Sequence, residues 1–371
     1  MTGKAAGSGI SFGQPHATRH VERAVSMAVE AAGLEQVMGL FLFLTDDHRR
    51  ELQPALSTAA RAARCTQVFG CTAMGLYTEQ DWTVDSSGAA ALVVGNGVSM
   101  GLDSGPGANE RPLISLATPR GASVDWLNQA APTLGAVASD SSGRGPFEVW
   151  SRGRTDSSGT TACTLDGVRM DTVVAQGVQP LTAPMEVTEV RGFNLLRLGK
   201  YPALKVLLNA LPDSIRGRDR VPLHMLMCGI TFGDPDTALE EGRFRLDHII
   251  AANPEDQSVT LAEDLQQGQR LFWALRDRVA ARLELEQALD RQLAPSGGVP
   301  DFGLMFSCLG RGPSFYGGAD RDVETLRDRC PGMPFAGFYG NGEIAPLAGR
   351  SHLYSYTAAI GLFSRAAQNY R

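Results

Sequence analysis

Residues 303–363 read GLMFSCLGRGPSFYGGADRDVETLRDRCPGMPFAGFYGNGEIAPLAGRSHLYSYTAAIGLF, and this stretch decides the fold. An apolar, strand-like run from Gly303 to Ser307 ends in a polar Gly-Arg-Gly loop at 310–312. A helix is predicted over 320–329. A second apolar run, Met333 to Phe338, then breaks into a glycine-dense turn carrying one acid, Glu343. The order occurs twice in the chain. Strand 39–44, helix 54–64, strand 67–69 and Gly70-x-x-x-x-Gly75 match strand 303–307, helix 320–329, strand 333–336 and Gly337-x-x-x-x-Gly342. A closing apolar strand follows each copy, at Ala89–Val94 and Thr357–Phe363. We infer two related halves and an internal pseudo-twofold repeat.

Outward from these units, residues 1–17 are rich in Gly and Ser and read as a loosely ordered tail. Apolar residues at helical spacing from Val21 to Ala32 predict a helix that Gly33 ends. The first copy's second strand is expected to stop at Gly70. Leu165 to Val178 reads as two strands joined at Asp166-Gly167, with loops at 104–112 and 140–146. The polar, Pro-flanked stretch 211–222 is the expected domain boundary. Beyond it come a strand at 223–231, a strand at 271–274 and a helix over 278–293. Strands and helices alternate while hairpin-like pairs intervene. The fold class is therefore α/β (or α+β): two domains with mixed β-sheets flanked by helices.

Bulk properties narrow the function. A chain of 371 residues can build two or three cores, and 43% apolar with 20% charged residues is an ordinary globular composition. A net charge of −6 disfavours nucleic acid and anionic membranes. No apolar run approaches the roughly 20 residues of a membrane helix. The first residues lack the apolar core of a secretory signal, so a cytoplasmic location is expected. The six cysteines form no C-x-x-C pair, and free buried thiols are expected. His16 and His20 alone have metal-ligand spacing, so no metal is expected. Neither glycine loop matches a phosphate-binding pattern.

Phe306-Ser307-Cys308, Gly310-Arg311-Gly312, Ala336-Gly337-Phe338, Asn341-Gly342-Glu343-Ile344 and Tyr356-Thr357 together resemble the C-terminal signature of FIST proteins. Gly70-Cys71-Thr72-Ala73, Val187-Thr188 and Pro202-Ala203-Leu204 resemble parts of that family's N-terminal domain. The resemblance implies a tail and helix at 1–35, a FIST N-terminal domain at 36–214, a FIST C-terminal domain at 215–363 and a tail at 364–371. It implies a sensor of a small ligand, amino acid-like or haem, that signals through a separate partner such as a histidine kinase. The pattern departs from the family at Gln176-Gly177-Val178-Gln179-Pro180, where relatives have Cys and Arg in place of Val178 and Gln179. His248 stands where asparagine is common.

The site candidates follow from chemistry. Glu343 beside three glycines can meet a ligand's amino group, and Arg311 at a strand end can hold a carboxylate bidentately. Tyr339 and Asn341 can supply stacking and amide bonds, with Gly342, Ser307, Cys71 and Thr72 around them. No residue is assigned a catalytic role, and an enzyme is not expected. An enzyme acting through Cys308 or Glu343 is the weakest alternative, because a thiol nucleophile needs a base within reach. A haem-based nitric oxide sensor is the stronger one. Haem needs a single axial ligand, and His352 or His248 would be the candidate. No cofactor is otherwise implied.

Overall fold

The structure is a computed structural model and describes residues 3–14, 17–101, 111–127, 133–216, 221–295, 298–347 and 350–366. His16 and most of the 104–112 loop fall outside these residues. The chain divides into two compact units. The first joins Met1–Val174 to Leu285–Arg371, and the second is Ala175–Glu284.

Both copies of the repeat belong to the first unit, apart from Ala175 at the end of one strand and residues 278–284 at the start of one helix, which fall in the second. The first copy comprises β1 (Ala6–Gly13), α1 (Ala17–Ala32), β2 (Gly39–Thr45), α2 (Leu52–Ala63), β3 (Val68–Ala73), β4 (Leu76–Thr78) and β5 (Ser87–Val94). The second comprises β6 (Val168–Ala175), α3 (Arg278–Leu293), β7 (Phe302–Cys308), α4 (Arg321–Arg329), β8 (Phe335–Gly340), β9 (Glu343–Leu347) and β10 (Ala358–Arg365). One sheet has the neighbour order β1-β5-β2-β3 and another β6-β10-β7-β8. In each, a parallel pair, β2 with β3 or β7 with β8, is flanked by an antiparallel closing strand. The element order agrees as well, except that the second unit is inserted where the first copy runs directly from β1 into α1. The repeat is thus a property of topology as well as of sequence spacing.

The copies interlock. After Gly75 the chain leaves β3, and β4 pairs with β8 of the other copy. β9 leaves β8 in the same way and pairs with strand Thr133–Val137 in a third sheet. That sheet contains its own parallel pair, Leu113–Ala117 with Thr133–Val137. All three parallel pairs share one device. Gly70, Gly337 and Gly135 stand in register with Leu42, Met305 and Ser115. A Cβ on these glycines would lie 1.7, 1.8 and 1.8 Å from the facing carbonyl oxygens. The side chain of the next strand covers each glycine instead: Trp150, Tyr77 and Ile344. Gly337→Ala is therefore expected to cost about 1–3 kcal/mol through overpacking, read as a lowered urea midpoint at unchanged slope. An unchanged midpoint would refute the close approach.

α1 and α2 pack on one face of the first sheet through Val21, Ala28, Leu56, Leu40 and Leu42. The other face, carrying Phe41, Phe43 and Phe69, meets Phe306 and Phe338 of the second sheet and Leu116 and Leu134 of the third in one core. The 1–17 stretch corrects the sequence reading. Residues 6–13 form β1, buried along most of its length and paired to β5 throughout. Gly7 and Gly9 let α1 press on it: a Cβ there would lie 2.5 Å from the Ala28 carbonyl and 2.4 Å from the Ala24 carbonyl. Small residues that look disordered by composition are a close-packed helix seat. β3 likewise does not stop at Gly70 but continues to Ala73. Gly167 does not close a hairpin either, because the strands it joins, Thr160–Asp166 and β6, belong to different sheets.

The second unit is a β-barrel. Strands Arg270–Arg276, Met185–Arg191, Asn194–Leu198, Ser258–Leu261, Phe244–Asn253 and Leu226–Thr231 are neighbours in that order, all antiparallel, and the last pairs back onto the first. Closure removes the sheet edges. Val187, Leu195, Cys228, Val259 and the wholly buried Trp273 belong to its core, with Leu204 and Leu207 of helix Ala203–Ala210. The 211–222 stretch lies within this unit, and the chain passes between units at 174/175 and 284/285.

Candidate functional site

The C-terminal ends of β7 and β8 converge on a buried polar cluster, at the place where parallel strands commonly present ligand-contacting residues. After β7 the chain makes a tight turn, Leu309–Arg311, that folds Arg311 inward until it is 1% exposed. Asp320 caps α4 by accepting from the Val323 N–H at 2.9 Å, which leaves Asp322 in the first turn facing Arg311. The guanidinium grips Asp322 with two bonds, Nε to Oδ2 at 2.7 Å and Nη2 to Oδ1 at 3.1 Å. The Tyr316 hydroxyl donates to the same Oδ1 at 2.6 Å. Tyr339, on the same face of the sheet, donates its hydroxyl to Asp320. Its ring packs edge-on against Tyr77 with centroids 4.9 Å apart. Tyr77 Oη donates to the Met305 and Phe338 carbonyls at 3.1 and 3.0 Å.

Glu343 opens β9 between Ala136 and Tyr354 of the adjoining strands. It is wholly buried, and neither carboxylate oxygen has a hydrogen-bond partner among the described residues. Ser307 Oγ, wholly buried opposite Tyr339 and Ala358, is likewise unpartnered. Burial pushes the Glu343 carboxyl well above its ordinary value, against weaker pulls from the backbone N–H groups of Thr357 and Gly342, which lie near it without closing a hydrogen bond, and from the Arg311 charge. Asp320 is pushed up to about 6 by burial and by the Asp322 charge. Burial also raises the Tyr77 and Tyr339 hydroxyls, Tyr77 further through Asp320, Glu343 and Asp322 and Tyr339 through Asp320. The groups therefore act on one another as a single cluster.

The sequence candidates fall in three places. Arg311, Tyr339 and Glu343 belong to this cluster, and Ser307 stands opposite Tyr339 on β7. Gly342, with φ of 138°, shapes the turn. Asn341 is exposed and donates from Nδ2 to the Ala138 carbonyl at 3.0 Å. Thr72 lies one residue before the end of β3, where its hydroxyl accepts from the Glu148 N–H at 3.1 Å. Ser139 ties the two strand ends together, accepting from the Met74 N–H at 2.9 Å and donating to the Tyr339 carbonyl. Cys71 points instead into the apolar core. Cys308 is buried opposite Gly340.

His352 is partly exposed on the edge strand Arg350–Tyr354, next to the exposed Leu353. His248 belongs to the second unit, opposite Met227. Gln179, at the family's arginine position, is exposed on strand Val178–Pro180 of the second unit. Among the described residues, no group of three or more His, Cys, Asp or Glu could hold a metal ion.

Sequence reading missed Tyr77, Ser139, Tyr316, Asp320 and Asp322. Asp320 carried a usable signal, an acid placed to cap a helix; Tyr77 and Ser139 reach the site only through strand exchange. The repeat adds a parallel. The position equivalent to Arg311 in the first copy, three residues past the end of β2, is His48. It too is wholly buried and lies against Thr45 at 3.2 Å and Asp47 at 3.4 Å.

All six cysteines are buried, and none is in a disulfide. Burial raises the Cys71, Cys163 and Cys228 thiols well above their ordinary value. A thiol-specific chromogenic reagent is expected to leave the folded protein essentially unmodified and to titrate all six in denaturant. Rapid reaction of one thiol in the native state would contradict this placement.

The FIST N domain matches residues 39–200 and the FIST C domain matches residues 203–346. The chain belongs to the FIST family, whose domains are sensor modules in signal transduction. Among similar proteins, an uncharacterized protein of Mycobacterium tuberculosis is 30% identical over 247 residues, covering 65% of this chain and 63% of its own length. An uncharacterized protein of Mycobacterium bovis is 31% identical over 230 residues, covering 62% and 60%. The chain thus aligns with less than two thirds of the length of these curated relatives. No helix among the described residues is long and apolar enough to cross a membrane.

Proposed function

We propose that this chain is a small-ligand sensor in which Glu343 receives the cationic nitrogen of the ligand and a separate protein carries the signal onward. The observation that carries the reading is the wholly buried Glu343 carboxyl with both oxygens unpartnered. An isolated carboxylate is costly in a dry interior. Left alone it keeps its proton, and an ammonium group can take the proton's place in a charge-assisted bond. Glu343 also starts the strand that joins the second half to the third sheet. Ligand binding there would bias the pairing of that strand with the third sheet, a population shift that a partner, such as a histidine kinase, could read.

The test is a thermal-shift and calorimetric screen of amines and amino acids on the full chain and on Glu343→Gln. A ligand that stabilises the wild type and not the variant is the expected result. Equal stabilisation of both would overturn the reading. The pH dependence has a definite sign. Below its raised pKa Glu343 must release its proton before pairing with a cation, so affinity is expected to rise with pH by up to about tenfold per unit. One proton should appear in solution per ligand bound. Affinity that stays flat from pH 5 to 8 would count against Glu343 as the contact.

A further inference from the structure

Resting on the reading of Glu343 as the ligand contact, we infer that the ligand is a primary amine without a carboxylate, so that the site discriminates against amino acids. The argument is one of charge and hydrogen-bond count. The cluster at the ends of β7 and β8 holds three buried carboxyl groups, Glu343, Asp320 and Asp322. Among the described residues Arg311 is the one buried lysine or arginine. Its guanidinium is already committed to Asp322 through two bonds. The cluster therefore has an excess of acid and no uncommitted cation. A zwitterionic amino acid would bring its carboxylate into that field with nothing to pair it, and like charges brought together in a buried site repel strongly.

Hydrogen bonding points the same way. An alkylammonium carries three N–H donors. The two unpartnered oxygens of Glu343 can accept two of them, and the end of β7 carries a further unpartnered hydroxyl, that of Ser307. Ser307 is an observation independent of the acids: a neutral, wholly buried side chain whose hydroxyl the fold leaves unused. The neighbouring hydroxyl groups are spoken for, since Tyr77 donates to two carbonyls, Tyr339 to Asp320 and Tyr316 to Asp322.

The experiment uses matched pairs that differ only by the carboxylate: ethylamine with alanine, phenethylamine with phenylalanine, and cadaverine with lysine. Dissociation constants are measured by calorimetry at pH 8 on the wild-type full chain, on Glu343→Gln and on Ser307→Ala. Circular dichroism confirms that each variant is folded. The expected result is that at least one amine binds about a hundredfold tighter than its amino acid. Glu343→Gln should abolish that preference, and Ser307→Ala should weaken the amine by about tenfold. If an amino acid binds as tightly as its amine and loses binding in Glu343→Gln, the amine inference falls while Glu343 remains the contact. If no member of any pair binds, or binding is unchanged in Glu343→Gln, both the inference and the proposed function fail.

Discussion

Glu343→Gln is expected to stabilise the unliganded protein at pH 8 and to leave its stability nearly unchanged at pH 4. Glu343 is wholly buried without a hydrogen-bond partner, and burial raises its carboxyl well above the ordinary value. In the unfolded chain the same group ionises near 4.5. Below that pH both states hold the proton and the carboxyl adds no pH dependence. Above it the unfolded state releases the proton while the folded state retains it, so the unfolded state binds fewer protons and stability falls. The slope is about 1.4 kcal/mol per pH unit until the raised pKa is passed. Stability linked to this group is thus fully present below the unfolded value and lost as pH rises through the folded one. Asp320, raised to about 6, adds a decline of the same sign between its ordinary value of 3.8 and 6. Glutamine has the shape of the protonated acid and no proton to lose, so the variant keeps the Asp320 part of the decline and sheds the Glu343 part. Urea midpoints of both proteins at pH 4, 6 and 8 test this. Parallel pH profiles would mean that Glu343 titrates normally and is not the buried acid on which the sensor reading rests.

Part of this molecule was legible in its residues. The repeated strand–helix–strand spacing located β2, α2, β3, β7, α4 and β8, because buried parallel strands are continuous apolar runs and their crossover helices are amphipathic. What escaped has a common physical cause: it depends on pairings distant in sequence. β1 carries Gly7 and Gly9 because a helix lies on it, and without that helix in view glycine reads as disorder. The barrel of the second unit is defined by closure between Leu226–Thr231 and Arg270–Arg276, which no local periodicity announces. The site was half legible for the same reason. Ser307, Arg311, Tyr339 and Glu343 stand at strand ends that sequence could place. Tyr77 arrives on β4 from the other half, and although Asp320 signals a helix cap, nothing between Arg311 and Asp322 signals that the turn folds one onto the other.

That pairing sets the second large effect. Arg311 between two glycines looked like a free arm for an anionic ligand, whereas in the structure it is 1% exposed and doubly bonded to Asp322. Arg311→Ala is expected to destabilise the protein by about 3–5 kcal/mol, because it leaves Asp322 as an uncompensated buried charge beside Asp320 and Glu343. The loss should be smaller at low pH, where the orphaned acid can take up a proton. Arg311→Lys should recover little, since an ammonium cannot reproduce the planar two-bond grip. Replacing both partners by apolar residues, Arg311→Met with Asp322→Leu, should recover most of the stability, as expected when a buried pair is removed whole. Tyr316→Phe would then be needed as well, because the Tyr316 hydroxyl donates to Asp322 and would be left without an acceptor. Chemical denaturation of the single, double and triple variants yields the coupling energy directly. An arginine held ready for a ligand would behave otherwise: Arg311→Ala would cost well under 1 kcal/mol and show no coupling to Asp322, as for a solvent-exposed ion pair. That outcome would return Arg311 to the ligand site and remove the charge argument that singles out an amine.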